Sequence, residues 1–169
     1  TESDIQNLRN VTGVETVRLP YTATFTYATA DNGKKYVASN TIFVAQTVMN
    51  IVAGQTLSED TDAGSILLSR KYISLLNAQT ADDAVGKKIA LTYKTFNGEE
   101  ITETFTVKGV YEPTILDSAV TLNQPDSERI ARLQAPNGQV QFYYIFATRS
   151  NDVTDTQFKE YLENAKFSA

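Results

Sequence analysis

The chain has 169 residues, of which 15 are basic and 20 acidic, for a formal net charge of −5 at pH 7. That length fits one domain, or one domain in two lobes, and is long enough to bury a sizeable core. The acidic balance argues against nucleic acid and against anionic lipid head groups, since both call for a basic face.

Cysteine and histidine are both absent. Disulfides and thiol catalysis are therefore excluded, and the commonest general base and commonest metal ligand are missing together. Apolar runs stay far below the roughly 18 residues that a membrane-spanning helix needs. The sequence opens on Thr1 with neither an initiating Met nor a signal peptide, and is expected to be a piece of a longer protein.

In chain order, Ser3 is placed to cap a helix over residues 4–9, with Gln6 reaching back as in a capping box and Ile5 and Leu8 on one apolar face. Gly13 breaks that helix, and 14–19 reads as a strand. After Pro20, Tyr21, Ala23, Phe25 and Tyr27 alternate with threonines, the period-two pattern of a half-buried strand. Asp31-Asn32-Gly33 supplies a hairpin turn, because Asn-Gly tolerates positive φ. A return strand is expected over 36–47, with Ile42-Phe43-Val44-Ala45 apolar on both faces. A polar loop at 59–64 leads into Ile66-Leu67-Leu68, a short apolar run ending at Ser69. Ser69 then caps a short helix carrying Tyr72, Ile73, Leu75 and Leu76.

Past an acidic turn, Val85-Gly86-Lys87-Lys88-Ile89 opens a strand that turns at Asn97-Gly98 and returns to Tyr111. Ile89, Leu91 and Tyr93 are odd-numbered, as are Ile101, Phe105 and Val107. Facing residues share one side of a sheet, so their numbers must sum to an even value. A two-residue loop gives an odd sum. An odd-length loop with a bulge near Gly98 is expected, and a three-residue loop would pair Leu91 with Phe105.

Residues 113–138 are the least regular and hold three of the four prolines, with one or two helical turns at 127–134. Residues 140–148 (VQFYYIFAT) are apolar on both faces and predict a central, covered strand. The helical pattern is clearest over 153–165. Thr154 caps that helix, Gln157 completes a capping box, and Val153 can staple onto Phe158.

Candidate chemistry is sparse. Glu59, Asp60 and Asp62 before Gly64 lack the ligand spacing of a calcium loop and read as a solvated turn. Asp82-Asp83 reads as a polar turn. Gly86-Lys87-Lys88 lacks the glycine run and the Ser/Thr of a phosphate loop. Ser69 and Lys71 are better explained by capping than as a catalytic pair, and Asn10-Val11-Thr12 matches a glycosylation sequon by composition alone. The expected sets of catalytic, cofactor-binding and metal-ligating residues are all empty: no enzyme, no cofactor and no metal.

The order of these elements resembles one family. The opening "IQNLRNVTGVETV", the passage with Gly54 and Ser58 around Gln55, the strand and short helix from Ser65, the "VGKKI" strand and the closing "FTVKGV" strand are similar to the MacB-like extracytoplasmic core domains of ABC-transporter permeases of the MacB/FtsX type. Gln55 stands where many members carry Arg. The resemblance implies an α+β, two-lobed fold: a βαβ-type lobe from both chain ends (1–50 and 119–169) and an inserted, mainly β second lobe (51–118). Thr1 and Ala169 would then emerge on one side, between the first two membrane helices of a four-helix permease.

By the same resemblance the domain does no chemistry. It passes motion driven by a cytoplasmic ATPase to an extracellular partner or substrate, in export or cell-wall work. Implied partners are its own transmembrane helices and ATPase subunit, a membrane-fusion adaptor or a cell-wall hydrolase, and a second copy in the full transporter. Nucleic acid is not among them. The implied place is the outer face of a bacterial membrane, and the absent cysteine leans towards a Gram-positive source. The alternative is a secreted or cell-surface ligand-binding or adhesion module, which the Thr-rich alternating strands also fit.

Overall fold

The computed structural model describes residues 2–37, 41–42, 49–58, 62–113 and 119–167. In chain order these residues form α1 (Glu2–Arg9), β1 (Val14–Arg18), β2 (Thr22–Ala23), β3 (Tyr27–Thr29), β4 (Lys35–Tyr36), β5 (Thr41–Ile42) and β6 (Ile51–Gly54). They continue with β7 (Ser65–Ser69), a 3₁₀ helix at Arg70–Leu76, α2 (Ala81–Ala84), β8 (Lys88–Lys94), β9 (Glu100–Tyr111) and β10 (Val120–Leu122). The last elements are α3 (Gln124–Gln134), a 3₁₀ turn at Pro136–Gly138, β11 (Phe146–Arg149) and α4 (Asp155–Asn164). The fold class is α+β, in two compact units: residues 1–20 with 141–169, and residues 21–140.

The first unit is built from both ends of the chain. β1 and β11 pair antiparallel, with Val17 opposite Ala147 and Arg18 opposite Phe146. The flanking order is therefore helix–strand and strand–helix, whereas a βαβ unit would have parallel strands. Ile5 and Leu8 of α1 and Leu162 of α4 are its buried apolar residues. α1 already begins at Glu2, so Ser3 lies inside its first turn rather than at a cap. Gly13 sits at φ +81°, which L side chains avoid, and its open face lies against Val153. Thr154 accepts from the Gln157 backbone N–H while Gln157 Oε1 accepts from Thr154, so α4 starts with the expected capping box. Thr1 and Ala169 lie outside the described residues.

The second unit centres on a seven-stranded mixed sheet in the order β10-β7-β9-β8-β3-β4, with β6 pairing β9 as well. β7 and β9 run parallel; every other pair is antiparallel. Because β3 is bonded to β8 and β10 to β7, the sequence-based lobe boundaries at 50/51 and 118/119 fall inside this unit and are replaced by 20/21 and 140/141. A separate short pair joins β2 and β5. Residues 43–47 of the expected long return strand lie outside the described residues.

One face of the sheet carries the main core. Ile66, Leu68, Ile89, Leu91, Tyr93, Phe105, Val107, Val110, Val120 and Leu122 pack there with Leu76, Phe25 and Ile130. Burying side chains of this size stabilises by about 1.5–3 kcal/mol each against leaving them in water. The alternation in β8 is what delivers them: Ile89, Leu91 and Tyr93 point inward and Lys88 and Lys94 outward. Across the hairpin Ile89 faces Phe105, Leu91 faces Glu103 and Tyr93 faces Ile101. Leu91 and Phe105 share the buried face as the parity required, but they are not direct partners. The loop closes one position earlier, because the Thr95 N–H donates to Glu99 O and leaves Phe96-Asn97-Gly98 as a three-residue turn. Gly98 is left-handed at φ +84°, as such a loop with a bulge demands.

Three other expectations change. The 21–27 strand is broken into β2 and β3: Tyr21, Ala23 and Phe25 are buried, but burial then moves to Ala28 and Ala30, a change of phase that one flat strand cannot make. Residues 127–134 belong to a longer helix, α3, started by Asn123, whose side chain accepts from the Asp126 N–H, and by Pro125 in the first turn. Residues 140–148 are not a covered central strand. Only 146–148 pair, on a two-stranded sheet, and Tyr143, Tyr144 and Phe146 are exposed.

Candidate functional site

The sequence named no site residue as functional, and the structure gives a structural role to the groups it weighed. Asp62 accepts from the Ser58 backbone and hydroxyl at 2.6 and 2.7 Å and from Lys108 Nζ at 2.5 Å. Lys108, ahead of the Ser58 bonds, holds the Asp62 carboxyl down at a pKa of about 2. Asp83 closes a capping box with Thr80 at the start of α2. Lys87 donates to Leu76 O at 2.6 Å and to Asn77 O, the last carbonyls of the 3₁₀ helix, which are free to accept at a helix end. Ser69 precedes that helix as expected, but its buried hydroxyl makes no capping bond. Glu59 and Asp60 lie outside the described residues. Among the described residues no group of three acidic side chains could hold a metal ion.

The charged groups that do converge lie where α3 crosses the β8–β9 hairpin. Asp126, Arg129 and Arg132, with Glu128, sit on successive turns of α3 at spacings that share one side of a helix. Arg129 grips Glu103 of β9 with both terminal nitrogens, at 2.7 and 2.6 Å, and reaches Asp126 at 3.1 Å. The Tyr93 hydroxyl donates to the same Glu103. Asp126 is buried and also accepts from the Gly64 N–H at 2.7 Å, tying the helix to the start of β7. Glu103 would otherwise be an acid on the core face of the sheet, opposite Leu91. The fork-shaped guanidinium is what makes its ionised form tolerable there.

These contacts set the protonation states. Arg129, foremost, holds Glu103 below the ordinary glutamate range, and Glu103 in turn raises the Arg129 pKa. Burial, followed by the bond to Glu103, pushes the Tyr93 hydroxyl up to about 12. A carboxylate so stabilised is a weak base at neutral pH, and so firmly protonated a phenol is a weak nucleophile. A second bracket stands one turn on. Arg132 Nε donates to Glu128 at 2.8 Å and Arg132 Nη2 to the Tyr21 hydroxyl at 3.1 Å. Burial, then Glu128, raises the Tyr21 pKa.

Beside the brackets is an open cleft of about 690 Å³, lined by Phe96, Asn97, Arg129, Arg132, Leu133, Asn137 and Gly138. The Phe96 N–H donates to Leu133 O at 2.8 Å, which locks the hairpin tip to the end of α3. Phe96 and Leu133 are themselves exposed. The cleft offers two apolar walls and amide groups between neutralised ion pairs. Its chemistry suits a protein or peptide surface better than a free anion, because both arginines already hold carboxylates.

The chain superposes on the crystal structure of a domain of a candidate permease protein from Porphyromonas gingivalis with a TM-score of 0.57. The match covers 97% of this chain and 73% of that one, at 16% sequence identity. It shares the fold of a permease domain. No protein-family model and no curated sequence matches it. No described helix is long and apolar enough to cross a membrane.

The two arginine brackets were not anticipated from the sequence. Their local signal is the run Asp126, Glu128, Arg129, Arg132 behind Asn123 and Pro125, which marks a charged helix. Their partners Glu103 and Tyr21 are remote in sequence and carry no mark of the pairing.

Proposed function

We propose that the chain is the extracytoplasmic core domain of an ABC-transporter permease of the MacB/FtsX type. Its role is to transmit ATPase-driven motion to an extracellular adaptor, cell-wall hydrolase or substrate rather than to catalyse a reaction. The observation that carries this reading is a fold shared over 97% of the chain with a permease domain, in which both chain ends enter one unit. β1 and β11 are bonded to each other, so a displacement applied through α1 or α4 reaches the other end directly. Arg129 fastens α3 to β9 of the second unit's sheet through Glu103, and Arg132 ties the same helix to Tyr21 beside β2, as a body that must move without deforming requires.

A flexible Gly-Ser insertion after Ala165 in the full permease tests the mechanism. The expected result is ATP hydrolysis without transport or partner activation. Normal transport would reject the mechanical role. Membrane helices encoded on both sides of the segment support the placement, and a sorting signal in their stead would reject it.

The cleft at Phe96 and Leu133 favours a second reading, a cell-surface ligand-binding or adhesion module. Saturable binding of an extracellular peptide, lost in Phe96→Ala and unaffected by transporter context, would favour it over the permease.

A further inference from the structure

Among the described residues, four buried side-chain polar atoms have no hydrogen-bond partner in the protein: Ser69 Oγ, Thr121 Oγ1, Asn123 Nδ2 and Ser127 Oγ. Thr121 is 2% exposed and the other three residues are fully buried. The two other buried polar side chains are satisfied. Thr92 bonds Thr102, and Asp126 accepts from the Gly64 N–H and from Arg129. The unpartnered groups therefore gather in one corner, where β7, β10 and the first turn of α3 meet.

They fall into two pairs. Thr121 stands opposite Leu67, and the Ser69 N–H donates to Ala119 O, so Ser69 and Thr121 are diagonal neighbours on one face of the sheet. That face is turned away from the core residues Ile66, Leu68, Val120 and Leu122. Diagonal neighbours are too far apart for a direct bond between two short hydroxyl side chains, but suit the span of about 5.5 Å that two bonds through one water cover. The helix start sets the other pair. The Ser127 N–H donates to Asn123 O at 3.1 Å, which places the two residues on one side of the first turn, with Cβ atoms about 5–6 Å apart. Asn123 Oδ1 is taken by the Asp126 N–H at 2.9 Å, and its Nδ2 is left to find an acceptor.

We propose that this corner binds two ordered waters, one bridging Ser69 and Thr121 and one bridging Asn123 and Ser127. Four such groups left dry in one place would cost a large share of a domain's marginal stability. The chemistry of the donor set selects the occupant. An anion would sit beside the buried Asp126 carboxylate and be repelled. A hard cation needs charged oxygens, but both Asp126 oxygens are engaged and Asn123 Nδ2 can only donate. Water donates and accepts, and is what buried hydroxyls and amides of this kind ordinarily hold. β10 is a three-residue strand at the end of the sheet, so its junction with α3 is joined through solvent as well as by apolar packing. Waters enclosed there leave only when β10 or α3 lifts, and their residence time reports the opening of this edge. The proposal stands on the corner alone and does not depend on the permease reading.

Oxygen-17 relaxation dispersion of the water in solutions of the purified chain is the test. The wild-type chain should hold at least two waters for longer than the molecule takes to tumble. Ser69→Ala should lower that count by one, and Ser127→Ala should lower it by one independently. Melting gives a sign that does not rest on counting. Thr121→Val keeps the side-chain shape and loses the hydroxyl. A dry, unpartnered hydroxyl would leave the protein more stable for its removal, whereas loss of a water's partner should lower Tm by about 2–4 °C. A raised or unchanged Tm in Thr121→Val would overturn the proposal. So would a wild-type chain with no long-lived water, or a count that neither serine variant changes.

Discussion

Gln134 bonds the backbone of Thr24 with both ends of its side-chain amide: Oε1 accepts from Thr24 N at 2.9 Å and Nε2 donates to Thr24 O at 2.7 Å. Nε2 lies 3.3 Å from Lys94 O as well. A side chain thus occupies the place of a missing strand partner where β2 ends. Gln134→Glu keeps the shape but turns the donor into a charged acceptor facing two carbonyls. It should cost about 1–2 kcal/mol in urea unfolding and speed exchange of the Thr24 amide, while Gln134→Met should cost less.

Arg129→Met removes both bonds to Glu103 and the bond to Asp126. The pair lies between the exposed case, worth under about 1 kcal/mol, and the buried case, worth about 3–5. With Arg129 nearly half exposed, a loss of about 1–2 kcal/mol is expected. The double variant Arg129→Met with Glu103→Gln should recover part of it, because no uncompensated charge is then left beside Tyr93.

Phe105→Ala should cost on the order of 3–5 kcal/mol, as large-to-small core changes do. Phe105 faces Ile89 across the ladder and is fully buried. Its neighbour Thr104, on the opposite side of β9 and exposed, should accept Ala with a change within about 0.5 kcal/mol. Equal losses at the two sites would contradict the register.

Gly54 and Gly109 are where β6 meets β9. A Cβ on Gly54 would run into Lys108 O, and Gly54 is left-handed at φ +71°. A Cβ on Gly109 would run into Gln55 O. Neither obstacle is a side chain that can turn away. Gly54→Ala should therefore destabilise by more than about 1 kcal/mol, whereas Gly33→Ala, with open space around it and only its φ of +77° to oppose it, should cost less.

Stability should fall off at both ends of the pH scale. Asp62 and Glu103 have folded pKa values below their unfolded ones, so their contribution is complete above the ordinary carboxylate range and fades as pH drops towards about 2. Tyr93 is shifted the other way. Its contribution is complete below the ordinary value of 10 and is lost as pH rises towards about 12. Melting temperatures across pH should show both limbs. Asp62→Asn should flatten the acid limb and Tyr93→Phe the alkaline one.

The parts legible in the sequence are those fixed by local rules. Alternation in β8, turn chemistry at Asn97-Gly98 and the Thr154 capping box each need only a few neighbouring residues. The first and last were read in the right place. The hairpin turn was found with an odd-length loop but one position away from the expected pairing of Leu91 with Phe105. The α3 helix was shortened because only Ile130 and Ala131 supply its deeply buried apolar face, too little periodicity to mark three turns. What holds α3 is a set of bonds to Glu103, Tyr21, Gly64 and Thr24, all remote in sequence. At 140–148 hydrophobic content was read as burial, but composition cannot tell a covered strand from an aromatic edge left in water. The arginine brackets were out of reach for the reason that hid α3: Glu103 and Arg129 become neighbours only once sheet and helix are assembled.

Thr16 and Thr148 share a hydrogen bond across the β1–β11 ladder although 132 positions separate them. During synthesis at roughly 5–20 residues per second, β1 waits on the order of ten seconds for its partner to be made. The hairpins β3–β4 and β8–β9 need no such delay, since each closes over a few residues. Closing the longer loop adds little to the equilibrium cost, which rises only with the logarithm of length, but it slows the search. The end-built unit is therefore the last to assemble, and until then its aromatic strand and the partner of that strand are apart and unprotected.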